Sequence, residues 1–287
     1  ADVNALWKGD TGNGQVLSGM SIEEALRKLM IEPDVKPTQA QWLHRKADGA
    51  DWYMVCAPQE GRFEGQIEFH TTGRAELWNP MNGTIEPMNS TEKDGYASIS
   101  MKLEQGECKY VVFHHDGRKQ KVPTRSSSTI PLDHLSWKLT FPKGWGADQP
   151  LTISRLQPWC ELPLSDEGKA FSGTVTYETS FQMDKLHRKS QYLIRLGQVE
   201  EIAVVKVNDA VADTLWALPY ETDITPYLRK GENKLTIEVV STWHNRLAYD
   251  ASLPEKERKT WVLAGPRAGS ELKRYGMMGP VEMEERR

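Results

Sequence analysis

Cysteine is scarce in this chain. Its 287 residues include only three cysteines, Cys56, Cys108 and Cys160, which lie far apart and form no C-x-x-C pair. An odd number at such wide spacing indicates neither a disulfide framework nor a zinc knuckle. Because free cysteine is among the most buried residue types, we expect all three to be small buried side chains.

Long apolar runs and basic clusters are also missing. No stretch approaches the 18 or more uncharged apolar residues of a membrane span, and the opening ADVNALWKGD lacks the basic start and apolar middle of a signal peptide. The 36 lysines and arginines are scattered and are outnumbered by 40 aspartates and glutamates, for a net charge of -4. We therefore expect neither nucleic acid nor a membrane among the partners.

Helix signals are confined to one segment near the start. Ser21 followed by Glu24 forms a capping box, an apolar stripe follows, and Pro33 ends the pattern. A barrel of eight β/α units needs about 250 residues of alternating strand and helix, so this chain cannot contain an enzyme barrel of that kind. A lone helix ahead of β segments is what we expect in the trailing part of a longer protein.

Strand and turn signals fill the rest of the chain. Short alternating runs such as GRFEGQIEFH and CKYVVFHHD are separated by turn dipeptides such as Asp94-Gly95, and a second series runs from FSGTVTYETSF to NKLTIEVV. A stretch rich in Pro and Gly before residue 161 indicates a boundary. The sequence thus predicts an all-β protein: a helical lead-in at 1–38, a β-sandwich at 39–160 and a second β-sandwich at 161–287.

A polar cluster follows the last strong strand, in STWHNRLAYD at 241–250. Trp243 continues the apolar phase of that strand, so we expect it to pack in the core. Asn245, Arg246 and Asp250 come after the predicted strand end. A guanidinium and a carboxylate there can either grip vicinal sugar hydroxyls or fix each other as a structural clasp, and both interpretations stay open.

Two further motifs contain side chains of the kinds that bind sugars or metal ions. Trp216, in DTLWALPY, leaves the strand pattern among turn residues, which makes it the best candidate for stacking on a sugar. Packing under the turn at Pro219 explains it nearly as well. The run His114-His115-Asp116 is a poor metal site, because adjacent strand residues point to opposite faces.

Together these runs resemble a known family. The segment from FSGTVTYETSF to STWHNRL is similar to the sugar-binding jelly roll of glycoside hydrolases of family 2 and, more closely, family 106. The closing GMMGPVEM is similar to the ending of the latter group. Upstream, QWLHRKADGADWYMVCAP and ELWNPMNGTIEP resemble the sandwich that precedes the jelly roll in family 106 α-L-rhamnosidases.

The resemblance implies an accessory function without catalytic residues. It implies a galactose-binding-like jelly roll as the second domain, with hydrolysis supplied by a barrel domain that this chain does not contain. A carbohydrate, such as a rhamnose-containing polysaccharide, is the expected partner, together with that catalytic barrel domain. The residues expected to bind carbohydrate are Trp216, Tyr220, Trp243, Asn245, Arg246 and Asp250.

Three other expectations follow from the resemblance. The protein is expected to be secreted or periplasmic. No cofactor is expected. The presence of a structural calcium stays an open question, although no acidic loop has the spacing of calcium ligands. Two rival hypotheses remain: an independent glycosidase with a site at the sandwich interface, and a purely structural module. A Tyr249 stands where the family pattern has glycine, which leaves the backbone there unpredicted.

Overall fold

A computed structural model describes residues 16–118, 120–123, 126–132 and 134–287. The chain divides into two compact units after Pro123. Antiparallel strands dominate both units. No helix in the described ranges is long and apolar enough to cross a membrane.

The first unit begins with the predicted helix. In α1 (Ile22–Lys28), the Ser21 hydroxyl accepts from the Glu24 N–H at 3.2 Å, and Glu24 Oε2 accepts from the Ser21 N–H at 2.8 Å. This confirms the capping box. Eight strands follow: β1 (Gln41–Ala47), β2 (Ala50–Cys56), β3 (Phe63–Phe69), β4 (Arg74–Trp78), β5 (Ile85–Met88), β6 (Thr91–Lys93), β7 (Tyr96–Leu103) and β8 (Cys108–His114).

These strands form two sheets that share one core. The five-stranded sheet has the order β1-β2-β8-β4-β5, and the other has the order β3-β7-β6. Tyr53 and Phe113 from the first sheet pack in the same buried cluster as Phe69 and Ile99 from the second. The end of the lead-in segment packs in this unit, since Val35 pairs with Phe69 and is buried.

The cysteine expectation is wrong for two of the three residues. Cys56 and Cys108 are direct partners in the β2–β8 ladder, with their Cα atoms 4.0 Å apart, and they form a disulfide across 52 residues of sequence. Cys160 is free and partly buried. Sequence spacing could not show this pairing, because the register of two strands decides it.

The described residues of the second unit form twelve strands and two α-helices. Two short helices connect strands: α2 (Asp166–Lys169) and α3 (His244–Ala251). The strands are β9 (Ser127–Pro131), β10 (Trp137–Thr140), β11 (Leu151–Ile153), β12 (Thr174–Met183), β13 (Gln191–Arg195), β14 (Gln198–Glu200), β15 (Ile202–Val207), β16 (Ala210–Leu215), β17 (Glu221–Asp223), β18 (Gly231–Val240), β19 (Gly276–Gly279) and β20 (Glu282–Arg286).

These strands build the predicted second sandwich. One sheet has the order β11-β10-β12-β18-β15-β16, the other has the order β17-β13-β20-β9, and β14 pairs with β19. Neighbours such as β12 and β18 are far apart in sequence, as in a jelly roll. Tyr177 and Ile237 of the first sheet share a core with Ile194 and Met283 of the second. The all-β, two-sandwich fold is therefore confirmed.

The boundary predicted at residue 160 lies inside the second unit. Strand β10 pairs with β12, with Lys138 opposite Glu178, and the Trp137 side chain is fully buried in the second core. The stretch rich in Pro and Gly before residue 161 is part of this unit too, because Trp159 is also fully buried there. The physical division is at Pro123.

Candidate functional site

Two exposed indoles emerge from the same end of the six-stranded sheet. The last residue of β18, Val240, lies opposite Ile202 at the start of β15, and Ala203 lies opposite Leu215 at the end of β16. Trp216 and Trp243 follow those two strand ends. Since only β15 separates β16 from β18, the ends of these two strands lie about 10 Å apart.

Both indoles are available to a ligand. The exposed fractions are 63% for Trp216 and 52% for Trp243. The expectation that Trp243 packs in the core is therefore wrong. Strand β18 ends at Val240, so the alternation of faces does not extend to residue 243.

A third indole packs against Trp243 and is itself contacted by two cations. The ring of half-buried Trp145 meets that of Trp243 edge to face, with centroids 6.3 Å apart. The Arg246 guanidinium carbon lies 5.1 Å from the Trp145 ring centroid, and Lys259 Nζ lies 5.4 Å from it. These cation–π contacts hold Trp145 in place and thereby support Trp243. Neither Trp145 nor Lys259 was predicted, because only tertiary packing brings them here.

Arg246 and Asp250 lie in α3, a helix that the sequence analysis did not predict. Arg246 donates from Nε and Nη2 to the two oxygens of Asp250, at 3.1 and 2.5 Å, and from Nη1 to Glu167 Oε1 at 2.7 Å. Asp250 Oδ2 also accepts from the N–H of Lys259 and from the N–H and hydroxyl of Thr260. Burial raises the pKa of Asp250, but the hydrogen bonds from Arg246 and Thr260 outweigh it and lower that pKa.

Of the two alternatives, a grip on sugar hydroxyls and a structural clasp, this network is the clasp. Arg246 and Asp250 are each 1% exposed, and their polar atoms are already engaged within the protein. The pair joins α3 to α2 through Glu167 and to the segment around Thr260. Tyr249, which stands where glycine was expected, is an ordinary helical residue whose ring lies 5.4 Å from the Arg246 guanidinium.

The remaining two predicted site residues are buried supports. Asn245 is fully buried; its side chain donates to Lys273 O and accepts from Lys273 N–H, both at 2.8 Å. The Tyr220 hydroxyl donates to Glu201 O at 2.6 Å. Of the six predicted residues, the structure thus exposes only Trp216 and Trp243, and the other four lie beneath the surface.

A carboxyl group with an unusual pKa lies at the same end of the sheet. Burial, and then the neighbouring Glu201 carboxylate, raise the pKa of Glu200. Burial, and then the carboxylates of Glu200 and Glu201, raise the pKa of Tyr220.

The histidines of the first unit make separate contacts, as their adjacent positions predict. His114 Nε2 pairs with Glu76 Oε2 at 2.9 Å, whereas His115 Nε2 pairs with Asp51 Oδ2 at 2.7 Å. In the part of the chain that the structure describes, no group of three or more His, Cys, Asp or Glu side chains is arranged to hold a metal ion.

Two family models match separate parts of the chain. Residues 2–92 match the model of the family 106 glycoside hydrolases, described as alpha-L-rhamnosidase, and residues 169–273 match the model "Glycosyl hydrolase 2 galactose-binding domain-like". Both parts of this chain are related to glycoside hydrolases. The resemblance seen in the sequence is thereby confirmed.

Individual relatives agree with the family models. A rhamnosidase structure from Novosphingobium sp. PP1Y superposes with a TM-score of 0.83 at 29% identity, over 99% of this chain and 28% of that one. A Formosa agariphila protein named "Putative beta-glucuronidase" is 31% identical over 76% of this chain and 21% of its own length. A Clostridium acetobutylicum beta-galactosidase is 35% identical over 33% of this chain and 11% of its own. The chain therefore spans less than a third of each of these relatives.

Proposed function

We propose that this chain is a non-catalytic, glycan-binding part of a glycoside hydrolase that acts on rhamnose-containing carbohydrates. The observation that carries the proposal is the exposure of Trp216 and Trp243 at one end of the second sandwich. Indole rings stack on the apolar faces of sugars, and two exposed rings that follow strand ends at the same end of one sheet can contact different units of one oligosaccharide. The clasp formed by Arg246 and Asp250 fixes the segment that presents Trp243.

Hydrolysis is assigned to a catalytic barrel domain outside these residues. Glycoside hydrolysis uses two carboxyl groups that face each other across the scissile bond. Burial raises the pKa of Glu200, and the carboxylate that raises it further belongs to the next residue in the chain, Glu201. The large uncovered share of the relatives leaves room for such a domain in a protein of the same kind.

The same proposal includes a secreted or periplasmic location. The disulfide between Cys56 and Cys108 supports it, because disulfides form and persist mainly in oxidising compartments.

Affinity electrophoresis tests the binding proposal directly. The purified chain is run through gels that contain plant and bacterial polysaccharides, including rhamnose-rich pectins, beside Trp216→Ala and Trp243→Ala. Trp42→Ala is the matched control, since Trp42 is also exposed, at 39%, but lies on β1 of the first unit. We expect retardation by one class of glycan and about a fivefold loss of affinity in the first two variants, about 1 kcal/mol each.

Two results would overturn the proposal. If no polysaccharide retards the chain, or if Trp42→Ala loses as much affinity as Trp216→Ala, the exposed indoles are not a glycan site. Release of nitrophenol from a nitrophenyl α-L-rhamnoside by the purified chain, abolished in Glu200→Gln, would instead favour the rival hypothesis of an independent glycosidase.

A further inference from the structure

A cavity of about 500 Å³ lies within the first unit. It is bordered by the start of β4, the turn after β5 and the segment that follows β8. Cavities between about 300 and 1,000 Å³ are typical of small-molecule sites. None of the six residues predicted to bind carbohydrate belongs to it, and the exposed indoles of the second unit are not part of its wall.

Basic and neutral polar side chains contribute equally to the polar part of this wall. Arg74, His114, His115 and Arg118 all line the cavity, whereas the described lining residues include no Asp or Glu. Met88 and Val122 supply apolar surface, and Asn89 and Ser90 supply neutral polar groups. Such a wall combines apolar contact with hydrogen-bond donors, a combination that suits a sugar bearing an acidic group.

Carboxylates outside the lining hold three of the four basic groups. His115 Nε2 is 2.7 Å from Asp51 Oδ2, His114 Nε2 is 2.9 Å from Glu76 Oε2, and Arg74 Nη2 is 3.0 Å from Asp116 Oδ2. These contacts fix the orientation of the side chains before any ligand arrives. They also offset much of the basic charge, so selectivity for an anion has to come from direct contact.

Arg118 is the basic group that remains available for such contact. Its side chain is 80% exposed, and its Nε lies 3.9 Å from Asp116 Oδ2, beyond hydrogen-bond distance. The Arg118 N–H donates to Asp116 Oδ1 at 3.0 Å, which anchors the backbone of the residue while its guanidinium stays open. A planar guanidinium in this state can pair with the oxygens of a carboxylate or a sulfate through two parallel hydrogen bonds.

We propose that this cavity binds a sugar residue that carries an acidic group, a carboxylate or a sulfate. Arg118 pairs with the acidic group, Met88 contacts the ring, and Asn89 and Ser90 bond to hydroxyls. The proposal does not rest on the indole surface of the second unit, so either one can fail alone.

Isothermal titration of the whole chain with three matched probes tests this site. The probes are sodium D-glucuronate, D-glucose 6-sulfate and D-glucose, which share a ring and differ at carbon 6. We expect saturable binding of at least one acidic probe, with glucose about tenfold weaker or more. Arg118→Gln should lower the affinity for that probe about tenfold, or about 1.4 kcal/mol. Arg62→Gln removes the same charge from an exposed loop of the same unit and should leave that affinity unchanged.

The outcomes separate the two acidic groups and the two proposed sites. Binding of glucuronate alone, or of the sulfate alone, identifies the group that Arg118 recognises. Trp216→Ala should leave this binding unchanged. No saturable binding of either acidic probe, equal binding of glucose, or an equal loss in Arg62→Gln would each overturn the proposal.

Discussion

Arg246 and Asp250 form a bidentate ion pair one helical turn apart in α3, and each is only 1% exposed. Isolated ion pairs on a protein surface contribute little to stability, but a buried one is different, because removing one partner leaves an uncompensated charge in a poorly solvated place. This pair also fixes the segment that presents Trp243.

Arg246→Ala is expected to destabilise the second unit by about 3 to 5 kcal/mol, since it leaves Asp250 buried without its cation. Urea unfolding monitored by tryptophan fluorescence measures the change. Lys234→Ala is the control. Its ion pair with Glu178, at 2.8 Å, is 44% and 27% exposed, so the expected loss is below about 1 kcal/mol. Equal losses in the two variants would contradict a structural clasp at Arg246.

Removal of the disulfide is expected to destabilise the first unit. Cys56→Ser combined with Cys108→Ser should lower the free energy of unfolding by about 2 to 4 kcal/mol, because the cross-link no longer restricts the unfolded chain. Cys160→Ser, at the free cysteine, should leave the first unit unaffected. Thiol titration of the denatured, unreduced protein provides the check: one reactive thiol is expected, and three would mean that the disulfide does not form.

The first unit is expected to lose stability in strong acid, because Asp51 becomes protonated there. Burial raises its pKa, but hydrogen bonds from Thr71, His44 and His115 outweigh burial and lower that pKa to about 2. The ionised carboxylate therefore contributes stability that is present above the usual pKa of 3.8 and is lost as the pH falls towards 2.

Asp51→Asn should accordingly destabilise the first unit at neutral pH, by about 2 kcal/mol from the pKa difference alone. The gap from wild type should shrink between pH 4 and pH 2. Urea unfolding across this pH range measures the stability difference, with the exposed Glu60→Gln as control. A gap that stays constant down to pH 2 would show that Asp51 does not titrate as expected.

Glu200 is expected to show the opposite pH dependence. Its pKa is raised by burial and by Glu201, so its contribution to stability is complete below the pKa of the unfolded chain and is lost as the pH rises through the folded-state value. Glu200→Gln should thus be more stable than wild type at pH 7 and differ little from it at pH 4. Thermal unfolding at the two pH values measures this difference, and the exposed Glu255→Gln is the control. A Glu200→Gln variant that is less stable than wild type at pH 7 would contradict the prediction.

Local signals predicted local structure correctly. The capping box at Ser21 and Glu24 forms as expected, because both partners lie within one helical turn. Asp94 and Gly95 have φ values of 51° and 80°, the left-handed pair that a tight hairpin between β6 and β7 requires. The all-β fold followed from many such short-range patterns.

Contacts between distant residues could not be predicted in the same way. The polar run that starts at His244 forms a helix instead of a loop, and the strand before it ends early enough to expose Trp243. Trp145 and Lys259 join this site from segments far away in the sequence. Their positions depend on how the loops at the sheet end pack together.

The sequence by itself determined the all-β class, the two sandwiches and the kinship with glycoside hydrolases, because alternation, turn residues and short motifs are local properties of the chain. The tertiary structure decided the division at Pro123, the pairing of Cys56 with Cys108, and which candidate side chains face solvent. Each of these depends on strand register or on burial, and both are set only when segments distant in sequence pack together in one core.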